Sequence, residues 1–301
     1  MNPAPPGSGP PTPGGTTSRA YHDVMPVLRT VRALALSCHP LPSLAVTAIS
    51  AGLAALADLP VGRGALVTGT VLASQLSVGW SNDYLDAGRD RAAGRPDKPV
   101  ATGALSPGVA RLAALVALLV TLALAARLGW PAGAVAVVAV GSAWVYNVGA
   151  KATALSWLPY VVSFGALPAV ATLSASPSRW PAAWAVAAAA LLGAAAHLAN
   201  VLPDLGDDLA TGIRGFPHRI GATATALTAA ALLLAGSAVI LIGPPGSPGP
   251  WRWAGFAAAT LVALVSARLA TRDPSSRRFF LAIIAIAALD VAAFAFAGVR
   301  L

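Results

Sequence analysis

Glutamate is absent from this 301-residue chain, so all 11 of its acidic residues are aspartates. Charge of either sign is scarce at 10% of residues, and there is one cysteine, Cys38. A lone cysteine excludes an intramolecular disulfide, and His39 beside it makes no metal-ligand spacing, so packing is the role expected for Cys38. The first 18 residues lack any apolar core and are crowded with Pro, Gly, Ser and Thr. That composition excludes a signal peptide and a foldable segment, and a disordered tail is expected over 1–18. What the chain has in abundance is apolar surface: 56% of residues are hydrophobic and the mean hydropathy is +0.71. These values exclude an ordinary soluble domain and imply an all-α, polytopic membrane protein.

Apolar runs of roughly 17 to 25 residues, the length needed to cross a bilayer, fall at nine places. They are about 41–58, 63–82, 106–128, 131–149, 155–175, 181–202, 220–243, 252–270 and 278–298, the first being the shortest fit. Residues 21–37, with Arg29 and Arg32 between apolar positions, suit either an amphipathic helix on the membrane surface or a first turn leading into the bundle. The run Gly243 to Pro250 cannot continue a helix and marks a turn. One domain over 19–301, nine transmembrane helices, accounts for the rest, with no soluble domain left over.

The basic residues orient that bundle. Fifteen of the 20 lie in alternate segments beginning with the N-terminal one, and Arg63, Arg127, Arg179, Arg252 and Arg300 occupy the others singly. By the positive-inside rule the N-terminus is cytoplasmic and the C-terminus outside, in a multi-pass protein of the cell membrane. Trp130, Trp180, Trp184, Trp251 and Trp253 then cluster at outer helix ends, where indoles serve as interfacial anchors. The net charge of +9 is accounted for by topology and an anion at the inner face, and no segment resembles a nucleic-acid module.

Seven of the aspartates fall in two windows, at 83, 86, 90, 97 and at 204, 207, 208. Both windows lie at the cytoplasmic ends of predicted helices. On a helix of 3.6 residues per turn, Asn82, Asp83, Asp86 and Asp90 fall within roughly 100° of arc, as do Asn200, Asp204, Asp207 and Asp208. Two facing stripes of carboxylates repel unless cations lie between them. Hard divalent cations, Mg²⁺ above all, take one or two carboxylates and fill their remaining positions with water and substrate phosphate. A diphosphate clamped between two acidic helices by Mg²⁺ is the arrangement these residues suggest. Arg89, Arg91, Arg95 and Lys98 follow the first window, and Arg214, His218 and Arg219 follow the second. Such groups bind phosphate oxygens directly, although they also obey the topology rule. Arg95, Lys98 and Arg214 are the stronger candidates for substrate binding.

Asn-Asp-x-x-Asp-x-x-x-Asp from Asn82, the following Arg95-Pro-Asp-Lys-Pro-Val-Ala-Thr-Gly103, and Asp204-x-x-x-Asp208 together resemble the UbiA-type intramembrane prenyltransferases. The resemblance implies a nine-helix bundle around a central cavity, with a cytoplasmic cap and a lateral opening to the lipid bilayer. It also implies transfer of an isoprenyl group from an allylic diphosphate to a small, often aromatic, acceptor with Mg²⁺. Asp83, Asp86, Asp90, Asp204 and Asp208 match the family's metal and catalytic positions. Asn82 matches the first metal-diphosphate motif, whereas Asn200, a further substrate-binding candidate, departs from the family's pattern by standing where many members have Asp. Tyr146 and Lys151 resemble the family's Tyr-x-x-x-Lys element with one extra residue, which puts them about 140° apart on an ideal helix. They share a site only if the helix ends between them, and Gly149 allows that.

Trp80, Trp144, Tyr146, Tyr160 and Phe164 are aromatic candidates for packing or for holding an allylic cation. Asp207 reads as a solvated loop residue, with a metal or base role also open, and Asp290 as a hydrogen-bonded acid within the last helix. Two other functions stay open: terpene cyclisation without an acceptor, and ion-coupled transport, which usually places its carboxylates near the bilayer midplane.

Overall fold

The computed structural model describes Met1, residues 16–274 and residues 278–296, with side-chain surroundings for 27–274 and 278–289. Among the described residues there is no strand. The helices are α1 (Thr16–Ser37), α2 (Pro40–Leu56), α3 (Val61–Ala92), α4 (Pro107–Arg127), α5 (Trp130–Val148), α6 (Leu158–Leu173), α7 (Ala183–Val201), α8 (Leu205–Ala210), α9 (Phe216–Ile242), α10 (Pro250–Arg272) and α11 (Arg278–Phe296). Short 3-10 turns, Ala150–Ala152 and Leu202–Asp204, precede α6 and α8.

Proline sets many of the starts. It occupies one of the first two positions of α2, α4, α5, α6, α9 and α10. There its missing N–H is one the helix end leaves unpaired anyway. A chain with 25 prolines can therefore remain helical. Ser106 caps α4, its hydroxyl accepting from the Val109 N–H at 3.2 Å.

Helices α2–α7 and α9–α11 occupy the nine segments expected from hydropathy. Among the described residues five spans, α4, α5, α7 with its continuation to Ala210, α9 and α10, are long and apolar enough to cross a bilayer singly. The pair Val27–Ser37 and Pro40–Leu56, bent by 63°, would make a sixth. The expected tail at 2–15 lies outside the described residues, and α1 starts at Thr16, inside the 1–18 stretch. Asp290 falls within α11, and its side chain lies outside the described residues.

The helices close a ring. Sequential neighbours pack together from α2 to α7, α7 then meets α9, α9 meets α10 and α10 meets α11, and α11 returns against α2 and α7. Small residues make the contacts: Ala259, Ala263, Ala267 and Ala270 of α10 are buried with Ala226, Ala229 and Ala230 of α9. Large ones face outward, as Leu112, Val116 and Leu119 of α4 do. Close backbone approach through alanine is how helices associate where lipid removes the hydrophobic drive between them.

At 32 residues, α3 is about 48 Å long against a hydrocarbon core of ~30 Å. A helix of that length carries its last turns past the apolar layer, and those turns hold Asp83 to Asp90. The opposite end of the bundle carries Asp58 in the connection between α2 and α3 and, among the described residues, no acidic stripe. There Arg63 donates to the carbonyls of Ser174 at 3.0 Å, Arg127 at 2.9 Å and Leu128, and Arg252 donates to the Leu241 carbonyl at 2.9 Å. These arginines satisfy helix C-terminal carbonyls that lack an intrahelical donor.

Candidate active site

A cavity of about 590 Å³ runs up the middle of the ring. Its lining divides into a polar end and a mostly apolar remainder. The polar end holds Asn82, Asp83, Asp86 and Asp90 from α3, Arg95 and Lys98 from the loop after it, Tyr146 and Lys151, and Asn200, Asp204 and Asp208. The sequence candidates therefore converge, with one exception: Arg214 is exposed and is not among the lining residues.

Asp83 is 1% exposed. Its Oδ2 accepts from the Ser37 hydroxyl at 2.6 Å and the Val100 N–H at 3.3 Å, so this carboxylate ties the end of α1 and the following loop to α3. Its Oδ1 is buried without a hydrogen-bond partner and lies 3.7 Å from the Lys98 ammonium. Lys98 also donates to Asn82 Oδ1 at 3.4 Å and sits 3.2 Å from His39 Nε2. Asp86 receives Lys151 Nζ at 2.5 Å on both oxygens, Asn82 Nδ2 at 3.0 Å, and the Arg89 guanidinium. Lys151 is only 8% exposed; burial pulls its pKa below the usual lysine range, against the Asp86 carboxylate, which favours its charge. Helix α5 ends at Val148, between Tyr146 and Lys151, and the turn at Ala150–Ala152 brings Lys151 back to the cavity.

Asp90 keeps one oxygen buried and unpartnered. Burial pushes its carboxyl above the usual carboxylate range; Lys98 and Arg95 oppose that shift, while Asp86 and Asp83 add to it.

The second acidic segment departs from the single helical stripe expected. Pro203 follows the end of α7 at Val201, and the chain passes through a 3-10 turn before α8. Proline has no N–H to continue the helical ladder, so Asn200 and Asp208 lie on different helices. Asp204 is held by Arg95 Nη1 at 3.1 Å, an ion pair joining the two acidic segments. Asp208 lies 3.3 Å from His218 Nε2. Asn200 donates to the Tyr160 hydroxyl at 3.5 Å. Asp207 is exposed and outside the lining, as expected of a solvated residue.

Beside the acids stands an aromatic wall. Tyr146 meets Tyr160 edge-on at 5.2 Å, and Tyr160 stacks on Phe164 at 6.0 Å. Trp80 and Trp144 do not line the cavity; their indoles donate to the Leu34 carbonyl at 2.9 Å and the Ser77 hydroxyl at 3.0 Å. Trp184, expected as an interfacial anchor, does line it, and Gly243 leaves room for the end of α9 against its side chain.

Sequence reasoning missed His197. It is 0% exposed, and its ring centroid is 5.0 Å from that of Tyr160 and 5.6 Å from that of Tyr146. Its Nε2 lies 3.0 Å from the Ser156 hydroxyl, which accepts from the Phe216 N–H at 2.9 Å. This chain of contacts fixes the start of α9 against the α5–α6 connection that carries Lys151. A signal was present: on an unbroken helix His197 would sit two turns before Asp204 on one face, although α7 ends between them.

Among the described residues no three carboxylates, imidazoles or thiols converge closely enough to hold a metal ion unaided. Asp83, Asp86, Asp204 and Asp208 instead lie each beside a basic group.

The model of a family described as the UbiA prenyltransferase family matches residues 43–293. Among curated proteins, none matches the chain. Solved structures do. The apo structure of a UbiA homolog from Aeropyrum pernix K1 superposes with a TM-score of 0.70 at 18% identity, over 85% of this chain and 97% of that one. A UbiA homolog from Archaeoglobus fulgidus bound to GPP and Mg²⁺ gives 0.69 at 17% identity, over 89% and 99%. A structure of digeranylgeranylglyceryl phosphate synthase gives 0.62 at 14% identity, over 90% and 99%.

Proposed function

From the premise that this chain belongs to the UbiA prenyltransferase family, we propose that it is an integral-membrane transferase moving an isoprenyl group from an allylic diphosphate to a small aromatic acceptor. One observation carries the reading: two acidic segments and the basic side chains Arg95, Lys98 and Lys151 meet at one end of a cavity whose remainder is mostly apolar. The charged end suits a diphosphate and the apolar part suits its hydrocarbon chain. Nine spans with the N-terminus cytoplasmic, the C-terminus outside and the acids at the cytoplasmic face complete the reading, supported by the distribution of arginine and lysine.

Mg²⁺ fits the residues present. Asp83 Oδ1 and Asp90 Oδ2 are buried oxygens without hydrogen-bond partners, and the donors are all hard oxygen ligands. Asp83, Asp86 and Asp90 would hold the ion or ions from one side and Asp204 and Asp208 from the other, with diphosphate oxygens and water completing coordination. When bound, the metal would supply positive charge against the negative charge that develops on the leaving diphosphate.

The chain's own groups do the rest. Arg95, Lys98 and Lys151 are placed to meet diphosphate oxygens once the carboxylates they now neutralise turn to the metal. As the C–O bond breaks, its electron pair leaves with the diphosphate, and the allylic carbon bonds to the acceptor ring, which then loses a proton. Tyr146, Tyr160 and Phe164 line the cavity beside this end, where aromatic rings can stabilise the allylic cation and exclude water.

Incubating membranes with geranyl, farnesyl and geranylgeranyl diphosphates, with and without hydroxybenzenes, tests the reading by mass spectrometry of the products. An alkylated acceptor is expected. A cyclic hydrocarbon formed equally without acceptor would replace transfer by cyclisation.

A further inference from the structure

Gln75 is the only glutamine in the chain. It is the fifteenth of the 32 residues of α3, half-buried, and lines the cavity in its apolar part with Val46, Ile49, Leu53 and Leu167. Neither of its amide atoms has a hydrogen-bond partner among the described residues. Ser163, another polar residue of the lining, spends its hydroxyl on the Ala139 carbonyl at 2.9 Å. On the facing helix α6, Pro168 has no N–H to give the Phe164 carbonyl, and both residues line the cavity.

A half-buried amide without a protein partner has hydrogen bonds to offer whatever occupies the cavity beside it, whereas leucine or alanine there would have none. Polar groups within membrane helices turn toward cavities and mark ligand paths. Gln75, Gly79, Asn82 and Asp86 follow one another at helical spacing, and all four line the cavity. Gln75 is about 10 Å along the axis from Asn82 and about 16 Å from Asp86. That is beyond the reach of a diphosphate held by the acids, yet close enough for a molecule lying between. The acidic end is served by charged side chains. An uncharged amide, with an NH₂ donor and a C=O acceptor, matches an uncharged hydroxyl that both accepts and donates.

We propose that Gln75 is the specificity-determining residue of the acceptor subsite, hydrogen-bonding a phenolic hydroxyl of the acceptor in the otherwise apolar part of the cavity. This deepens, and rests on, the prenyl-transfer reading. A subsite built to pair a hydroxyl rejects the isostere lacking it, because the amide would be stranded. The same stranding disfavours a hydrocarbon chain laid across Gln75, leaving this sector to the acceptor.

Because glutamine occurs once, protein labelled with ¹⁵N at the glutamine amide and placed in lipid nanodiscs gives a single side-chain NH₂ pair in an NMR spectrum. Titration with phenol is expected to shift that pair, and titration with toluene is expected to leave it in place. No response to phenol, or an equal response to toluene, overturns the subsite. In the reaction of phenol with geranyl diphosphate, Gln75→Leu is expected to raise the KM for phenol about tenfold, with kcat changed much less. An unchanged KM would also overturn it. Diphosphate release from geranyl diphosphate by the wild-type protein judges the transfer reading separately: if release is absent while the amide still answers phenol, the transfer reading fails, and with it the acceptor role of Gln75, leaving a phenol-binding site alone.

Discussion

The two acidic segments face one cavity but are built differently. Asp83, Asp86 and Asp90 stand on a single unbroken helix, where Asp83 is buried and tied to Ser37 and Val100, and Asp86 is held by Lys151. Asp204 and Asp208 stand on a 3-10 turn and a six-residue helix, both half-exposed, with Arg95 and His218 as neighbours. The first segment is thus part of the scaffold as well as of the site. The second is a lighter element, joined to the first through Arg95.

That difference orders the expected effects of substitution. Asp86→Ala is expected to lower Mg²⁺-dependent diphosphate release by about 10²–10³-fold, the loss typical of one removed electrostatic contact to a developing charge. Asp83→Ala should match that loss and also lower the thermal midpoint, since Ser37 and Val100 lose their acceptor. Asp204→Ala and Asp208→Ala should impair turnover with little change in thermal stability. A midpoint that falls equally in all four variants would erase the distinction between scaffold and light element.

Lys151→Met comes next. Removing one partner of a buried ion pair typically costs about 3–5 kcal/mol, here reduced because Arg89 still meets Asp86. Calorimetry should show a lower midpoint that added Mg²⁺ raises more than in the wild type, because the metal replaces the missing positive charge. Equal responses to Mg²⁺ would mean that Asp86 is not a metal position. Arg95→Gln cuts the link between the segments, and a several-fold rise in the KM for the allylic diphosphate is expected. The pair is partly exposed, which keeps its contribution to stability at the low end, about 1 kcal/mol or less. Arg214→Ala should leave steady-state kinetics within about twofold, as is usual for exposed positions away from a site. A tenfold loss would return Arg214 to the site.

The same comparison separates what the sequence made legible from what it did not. Hydropathy located the nine helices because apolar run length is a local property. The stripe from Asn82 to Asp90 was legible because its helix continues without interruption, so spacing converts directly into a shared face. At Asn200 to Asp208 the same conversion misstated the geometry: Pro203 breaks the helix, and it is visible in the sequence. Tyr146 and Lys151 converge through a turn whose only local sign is Gly149. Longer-range partners carried no local sign at all. Ser37 reaching Asp83, Ser156 between His197 and Phe216, and Arg63 on the carbonyls of α4 and α6 all depend on how the ring closes. Arg63 and Arg252 entered the charge count only as topology markers, and they also satisfy helix ends.

The most direct test is Mg²⁺-dependent release of diphosphate from geranyl diphosphate by purified protein in lipid nanodiscs, measured for the wild type, Asp86→Ala and Asp208→Ala. Release by the wild type that stops on chelation, with both variants nearly inactive, is the expected result. Release that persists under chelation, or at full rate in either variant, would contradict a metal-diphosphate clamp shared by the two segments.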